Sequence, residues 1–283
     1  MTPSPTARRA ATGRQHELRR AGAVAVVTEL AAGLRSYTRN GVALTETYGD
    51  GQIPPGATGI TLAPWANRIE DGRWSLDGRA QQLDITEPKH GHASHGLLRN
   101  TGYSLLEQTE SAVALEAVVF PQHGYPFLLR HRVDYALGSD GGLSVTQTLA
   151  NDSDTTAPFV LGAHPYLRIG DVPSEELTLT VSGRTRLIAD QRLIPRSSEP
   201  VSGRADLRRG QPVSASPSIP ATPTSPSRTS RTTARARPGR PARRSLQRTA
   251  AACGCGRSRP ARTPTSSSPT PSRGAPRRWP SSR

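Results

Sequence analysis

The chain has 283 residues and a formal net charge of +15, and this charge is divided very unevenly along the sequence. All 22 acidic residues lie at or before Asp206, where 19 Arg and one Lys balance them to a net charge of −2. Residues 207–283 carry 17 Arg and no acidic residue. The near-neutral first part therefore favours neither a nucleic acid nor a membrane as partner, and it has no cysteine for a disulfide framework.

We expect neither a leader nor a membrane-spanning segment in the N-terminal residues. The most apolar stretch, 21–34, is interrupted by Glu29 and is too short to cross a bilayer. The pair Arg8-Arg9 is followed by the polar residues 12–17 rather than by an apolar run. We therefore expect residues 1–16 to be a disordered lead-in and the protein to be cytoplasmic.

Short apolar runs alternate with turn residues through the next part of the chain, in the pattern of β-strands. Leu129, His131, Val133 and Tyr135 occupy every second position, which places them on one face of a strand. The other runs with strand character are 23–30, 143–149 and 177–181.

Turn residues separate these runs. Asn40-Gly41 and Asp77-Gly78 are typical of two-residue hairpins. No amphipathic helix of three turns is evident, and strands recur at a spacing of about ten residues, which favours an antiparallel sandwich or barrel. We predict an all-β domain over residues 17–206, a large antiparallel β-sandwich.

Residues 207–283 form a basic, low-complexity tail. From Ser214 onward its only large apolar residues are Ile219, Leu246 and Trp279, too few to offset the entropy of ordering, so we predict disorder. The abrupt loss of acids and the 36 Arg against one Lys in the whole chain favour translation of a GC-rich gene out of frame. A genuine disordered tail is the alternative. Such a tail would attract nucleic acid through charge alone, so no specific nucleic-acid partner is expected.

Two segments carry side chains suited to chemistry. Asn67-Arg68 places an amide beside a planar guanidinium fork, which suits adjacent sugar hydroxyls. His164 precedes Pro165, so its backbone is extended, and its imidazole is a candidate general acid near neutral pH. On residue type alone, a surface salt bridge and a structural histidine remain the alternatives for Arg68 and His164.

A third segment contains the histidines His90, His92 and His95. Imidazole is a common zinc ligand, but this spacing matches no known zinc motif. Gly91 and Gly96 instead indicate a tight loop that presents one histidine. We therefore expect neither a metal nor another cofactor.

These segments, taken in order, resemble the aldose 1-epimerase (galactose mutarotase) family. The resemblance covers residues 17–206. It is carried by residues 33–37, 64–69, 71–78, 95–100 (His-Gly-Leu-Leu-Arg-Asn), 164–166 (His-Pro-Tyr) and 184–195.

The resemblance implies a galactose mutarotase-like supersandwich and a cofactor-free isomerase that interconverts the α and β anomers of a free hexose. Arg68 would bind sugar hydroxyls, His95 would polarise the sugar near its ring oxygen, and His164 would protonate that oxygen. The neighbours it implies at the site are Asn67, Trp65 and Tyr166.

The family also uses a sugar-binding aspartate and a general-base glutamate farther along the chain, and neither has an in-frame counterpart here. We therefore expect the C-terminal part of the sandwich to be missing or disordered and catalysis to be impaired. Two alternatives are a non-catalytic carbohydrate-binding sandwich and a hexose-6-phosphate epimerase, whose phosphate would need arginines such as Arg68, Arg99 and Arg168. The expected partner is a small aldose, and the expected assembly is a monomer or homodimer.

Overall fold

The computed structural model describes residues 9–215, 234–236 and 241–246, and these residues are almost entirely strands and loops. The predicted all-β fold is confirmed. The described helical segments are single 3₁₀ turns at Pro55–Ala57, Ser174–Glu176, Gly203–Ala205 and Val213–Ala215. None of the helices in the part of the chain that the structure describes is long or apolar enough to span a membrane.

The described strands, in chain order, are β1 (Gln15–Arg20), β2 (Ala23–Thr28), β3 (Leu34–Arg39), β4 (Val42–Ala43), β5 (Thr61–Leu62), β6 (Arg68–Glu70), β7 (Arg73–Leu76), β8 (Arg79–Gln82), β9 (His92–Ser94), β10 (Ser104–Gln108), β11 (Ala112–Val119), β12 (Leu129–Leu137), β13 (Leu143–Asn151), β14 (Ala157–Phe159), β15 (Gly162–Ala163), β16 (Thr178–Leu179), β17 (Thr185–Ala189), β18 (Pro195–Pro200), β19 (Gln211–Pro212), β20 (Ala234–Ala236) and β21 (Pro241–Leu246).

The first sheet is an antiparallel meander of β1, β2, β3 and β4 in chain order. Its strand β2, expected from the valine-rich run, buries Ala23, Ala25 and Val27 on one face. The predicted Asn40-Gly41 hairpin joins β3 to β4, and both residues have positive φ angles, 50° and 78°. A two-residue hairpin turn of the favoured hand requires such angles, which explains the sequence at this turn.

The second sheet has five antiparallel strands in the order β10-β11-β12-β13-β21. The alternation predicted for β12 is confirmed, because Leu129, His131, Val133 and Tyr135 are buried on one face. Apolar side chains from both sheets form one continuous core that includes Leu18 of β1 and Leu115 of β11. Burial of a leucine in such a core contributes roughly 1.5–3 kcal/mol.

Short two-stranded ladders attach the chemistry-bearing segments to this sandwich. β5 pairs with β15, β6 pairs with β9, and β7 pairs with β8 through the predicted Asp77-Gly78 turn. The first two ladders matter most for function, because they fix the chain on either side of the candidate site residues.

The described boundaries differ from the predicted ones in two places. β1 begins at Gln15, inside the predicted lead-in, because the Glu29 carboxylate accepts a hydrogen bond of 2.8 Å from the Arg14 amide and orders the residues before the strand. The run at 177–181 contains only the two-residue strand β16, which pairs with β19. Its alternating pattern lacks a longer partner strand among the described residues.

Most of the predicted basic tail lies outside the described residues. The described part of the tail includes two strands that pair with the first part of the chain: β20 pairs with β14, and β21 pairs with β13, both antiparallel. The proposed change of reading frame and the predicted disorder concern residues 207–283 as a whole, most of which lie outside the described residues, and they stay predictions.

The fully buried His131 makes the stability of the protein sensitive to acid. Burial lowers its pKa from 6.5 to about 4, so the folded protein favours the neutral imidazole. Because the folded pKa lies below the unfolded one, this stability is present above pH 6.5 and is lost as the pH falls to 4. The loss is at most about 3 kcal/mol.

We therefore expect the melting temperature to fall between pH 6.5 and pH 4, and the fall to be smaller in His131→Gln. Thermal melts by circular dichroism, with NMR titration of the His131 ring, provide the measurement. A ring that titrates near 6.5 in the folded protein would contradict this assignment.

Candidate active site

Arg68 lies at the start of β6 with its guanidinium held in a fixed orientation. Its Nε and Nη2 donate hydrogen bonds of 2.6 and 2.7 Å to the two carboxylate oxygens of Glu87, and its Nη1 donates one of 3.0 Å to Asn67 Oδ1. The Arg68 side chain is only 9% exposed, and its guanidinium lowers the pKa of Glu87. These bonds use three of the five N–H groups of the guanidinium, which leaves two for a ligand.

His95 follows β9 directly and lies across from Asn67. Its amide donates a hydrogen bond of 2.8 Å to the Asn67 carbonyl, and both residues have left-handed backbones, with φ angles of 66° and 64°. Asn and His tolerate this region better than most residues. The β6–β9 ladder, in which Arg68 pairs with Ser94, therefore ends in two turns that face each other.

Gly96 brings this turn against the preceding loop. A Cβ at this position would lie 2.0 Å from the carbonyl oxygen of Ala63, and the φ angle of Gly96 is 80°. The same carbonyl accepts hydrogen bonds of 2.9 and 3.2 Å from the amides of Leu97 and Leu98. Only glycine permits this approach, so the backbone at this turn requires the glycine that follows His95 in the sequence.

His164 follows β15 and is fixed at both backbone groups. Its amide donates to the Ile60 carbonyl at 3.0 Å, and its own carbonyl accepts from the Gly59 amide at 2.8 Å. Tyr166 is partly exposed, and its hydroxyl donates to the Gly56 carbonyl at 3.1 Å. The loop from Gly56 to Ile60 thus holds the whole His-Pro-Tyr segment.

The structure brings the two predicted histidines together. The ring centroids of His95 and His164 are 5.2 Å apart at an angle of 80°, and Tyr166 lies 5.4 Å beyond His164 at 87°. Burial lowers the pKa of His95 to about 4, with further contributions from His164 and the charge of Arg99. Burial, and then Arg99, also lowers the pKa of His164. Both imidazoles are therefore predominantly neutral at pH 7.

Two buried nitrogen atoms in this cluster, His95 Nδ1 and Arg99 Nε, have no hydrogen-bond partner among the described residues. Trp65 Nε1 also has none, but the Trp65 ring lies in the hydrophobic core, 6.0 Å from that of Tyr125. Buried polar atoms are normally paired, because an unpaired one costs roughly 1–3 kcal/mol. Unpaired donors beside two neutral imidazoles and a fixed guanidinium are suited to a ligand rich in hydroxyl groups.

The other histidines of the 90–95 segment do not join this site. His92 is fully buried, its Nδ1 accepts from the Asp71 amide at 3.2 Å, and its Nε2 donates to the Arg192 carbonyl at 3.0 Å. Both ring nitrogens are thus used in structural hydrogen bonds. No cluster of three metal-ligating side chains is found among residues 9–215.

Sequence reasoning missed Glu87 as the partner of Arg68. Glu87 lies 19 positions farther along the chain, and its spacing from Arg68 matches no known motif. The β6–β9 ladder alone brings the two together, because a backbone bridge pairs Glu87 with His92 at the start of β9.

Comparison with known proteins identifies the family of the chain. A profile of the aldose 1-epimerase family matches residues 14–219. This match covers most of the chain, so the chain belongs to the aldose 1-epimerase family.

Curated relatives include the uncharacterized protein YihR of Escherichia coli (strain K12), 36% identical over 143 residues, and the galactose mutarotase of Rattus norvegicus, 32% identical over 162 residues. These matches cover 50% and 53% of this chain but 46% and 45% of the relatives. The chain thus spans about half the length of the curated relatives it matches.

Solved structures share the fold. A putative aldose 1-epimerase from E. coli K12 has a TM-score of 0.63 at 18% identity, covering 70% of this chain and 66% of that one. A GalM/aldose epimerase homologue from C. elegans has a TM-score of 0.65 at 19% identity, covering 72% and 67%. At such identities the likeness concerns the fold alone, and it confirms the galactose mutarotase-like sandwich.

The Gly96 turn provides a direct test of the site geometry. We expect Gly96→Ala to destabilise the protein more than Gly78→Ala, because position 78 has the same sign of φ, 79°, but open space around it. Strain from φ alone costs about 1 kcal/mol in either variant. Only Gly96→Ala adds a collision with the Ala63 carbonyl.

Urea unfolding measures the difference, and the NMR signal of the His95 ring should move in Gly96→Ala alone. Equal losses of stability in the two variants, with an unmoved His95 signal, would show that position 96 tolerates a side chain.

Proposed function

We propose that the protein is an aldose 1-epimerase that interconverts the α and β anomers of a free hexose. The observation that carries this proposal is the pair of adjacent imidazoles, His95 and His164, in the same site as the oriented Arg68 fork. Unpaired buried donors around them match the hydroxyl groups of a sugar.

In this mechanism the protonated form of His164 is the general acid, although its lowered pKa makes this form a minor population at pH 7. A base takes the proton of the anomeric hydroxyl, His164 gives a proton to the ring oxygen, and the bond between the anomeric carbon and the ring oxygen breaks to give the open-chain aldehyde. Rotation about the bond to the carbonyl carbon and the reverse proton transfers close the ring as the other anomer. No electrons are gained or lost. A positioned acid or base contributes ~10²–10⁴-fold in rate.

The remaining site residues bind and orient the sugar. His95 polarises the ring oxygen, Arg68 donates its two free N–H groups to hydroxyls, and Asn67 fixes the Arg68 fork. Tyr166 borders the same space, since its ring lies 5.4 Å from that of His164. The role of Trp65 as a neighbour of the sugar rests on the family resemblance. The general base and the sugar-binding aspartate implied by the family resemblance have no counterpart in residues 207–283, which contain no acidic residue, and full activity depends on them.

Residues 207–283 contain no acidic residue to serve as the base, so we expect this chain to be impaired. We expect a protein with the same residues 1–206 and a complete, in-frame C-terminal part to accelerate the optical-rotation change of fresh α-D-glucose or α-D-galactose. His164→Ala should lower kcat by about 10²–10⁴-fold with little change in KM, because an acid acts mainly in the transition state. The matched control is His123→Ala, since His123 is exposed on a distant turn.

Polarimetry and sugar titration on one preparation separate the alternatives. Binding of sugar without acceleration would indicate a non-catalytic carbohydrate-binding sandwich. The spontaneous rate with every aldose tested, together with no binding, would refute the proposal.

A second candidate, a hexose-6-phosphate epimerase, is favoured by Arg99. Glu87 neutralises Arg68, and Glu46 and Asp171 neutralise Arg168. Arg99 has no carboxylate partner among the described residues, and its charge acts on both imidazoles. An uncompensated arginine beside the sugar site is suited to an anionic substituent.

If the substrate is phosphorylated, the ratio of kcat/KM for glucose 6-phosphate to that for glucose should exceed one in the wild type. Arg99→Gln should abolish this preference, and Arg168→Gln should retain it. A ratio at or below one in the wild type leaves the free hexose as the substrate.

A further inference from the structure

A chain of buried hydrogen bonds crosses the core toward the candidate site. Tyr103 O–H donates to His131 Nδ1 at 2.7 Å, His131 Nε2–H donates to Gln147 Oε1 at 3.1 Å, and Gln147 Nε2–H donates to the Gly162 carbonyl at 2.9 Å. All three side chains are at least 97% buried. This series of hydrogen bonds connects the large sheet, through β12 and β13, to the short strand β15.

The donor and acceptor of each of these hydrogen bonds follow from the last acceptor, the Gly162 carbonyl oxygen. A carbonyl oxygen accepts only, so the Gln147 amide nitrogen faces Gly162 and its oxygen faces His131. His131 must then carry its proton on Nε2. Because burial keeps His131 neutral, its Nδ1 is an acceptor, and the Tyr103 hydroxyl must donate to it. Each of these donors and acceptors has a partner, so the series of hydrogen bonds has one stable set of directions.

Its endpoint lies where the two halves of the candidate site meet. Gly162 is two residues before His164 on the same extended segment. A Cβ at Gly162 would lie 2.9 Å from Ala66 Cβ, so this glycine packs against the loop that leads to Asn67 and Arg68. A displacement of Gly162 therefore changes the position of His164 relative to Arg68.

β15 itself has only two residues, and its ladder partner β5 has two. So short a ladder defines the position of a strand weakly, because few backbone bonds resist its sliding. The side-chain bond from Gln147 ties the strand to β13, which is nine residues long and pairs along its whole length with β12.

We propose that Gln147, supported by His131 and Tyr103, is a positioning residue that holds the His164 imidazole against the sugar-binding residues. This role rests on the proposed epimerase function. Gln147 acts through the backbone of Gly162 and does not contact the substrate. Its removal should therefore change the placement of His164 and the rate of proton transfer more than it changes sugar binding.

The test uses the full chain and the variant Gln147→Met, which keeps the length of the side chain and removes both hydrogen bonds. The matched control is Tyr135→Phe. The Tyr135 hydroxyl is equally buried on β12, but it donates at 2.7 Å to the Ala32 carbonyl on a different segment. Both variants lose buried hydrogen bonding, and only one loses the link to Gly162.

Two readouts are needed. In ¹H–¹⁵N spectra of the imidazoles, Gln147→Met should move the His164 signal, and Tyr135→Phe should leave it in place. In anomer exchange, measured in the protein with a complete, in-frame C-terminal part, Gln147→Met should lower kcat at least about tenfold with less than a threefold change in KM, and Tyr135→Phe should retain the unsubstituted protein's kcat. Tyr103→Phe should show a smaller change in the same direction, which keeps the test decisive if Gln147→Met does not fold.

An unmoved His164 signal in both Gln147→Met and Tyr103→Phe would overturn the proposal, as would an equal movement in Tyr135→Phe. Absence of epimerase activity in the protein with a complete, in-frame C-terminal part would refute the proposed function, and the spectra of the full chain would still decide whether Gln147 positions His164.

Discussion

The close approach of the Gly96 backbone to the Ala63 carbonyl is the constraint on which the rest of the site depends. It joins the turn after β9 to the loop before β6, and the same carbonyl receives the amides of Leu97 and Leu98. His95 is carried by the first of these segments and Arg68 by the second. Their mutual position is therefore set by backbone contacts, with little freedom left to the side chains.

A comparable joint holds the other half of the site. Gly162 packs against Ala66 and accepts the Gln147 amide, so the strand that carries His164 is fixed against the same loop. Both joints use a glycine, because a side chain would prevent the contact between the segments. The imidazoles that meet between them are partly desolvated, and this desolvation lowers their pKa values.

The sequence predicts the regular parts of this architecture well. The alternation at Leu129, His131, Val133 and Tyr135 and the hairpins at Asn40-Gly41 and Asp77-Gly78 depend on residues that are neighbours in the chain, and all are confirmed. The run at 177–181 has an equally regular pattern but forms only a two-residue strand. A strand is stabilised by its partner, and the pattern of one segment does not reveal whether a partner exists.

The candidate site could be predicted only where it depends on local motifs. The motifs identify His95, His164 and Arg68, and the structure brings the two imidazoles together. The partners that hold these residues are distant in sequence, and no local pattern marks Glu87 or Gln147. For the same reason the sequence leaves open whether Arg68, Arg99 or Arg168 is free to bind an anion, because the answer depends on which carboxylates the fold brings near.

The pairing of Arg68 with Glu87 also determines how the site responds to its surroundings. Because the carboxylate balances the guanidinium at 2.6 Å, this part of the site presents directed N–H groups with little net charge. A neutral ligand held in this way gains affinity from geometry, and screening by dissolved ions acts weakly on a partly buried pair. Binding of an uncharged ligand by this fork should thus be nearly independent of ionic strength.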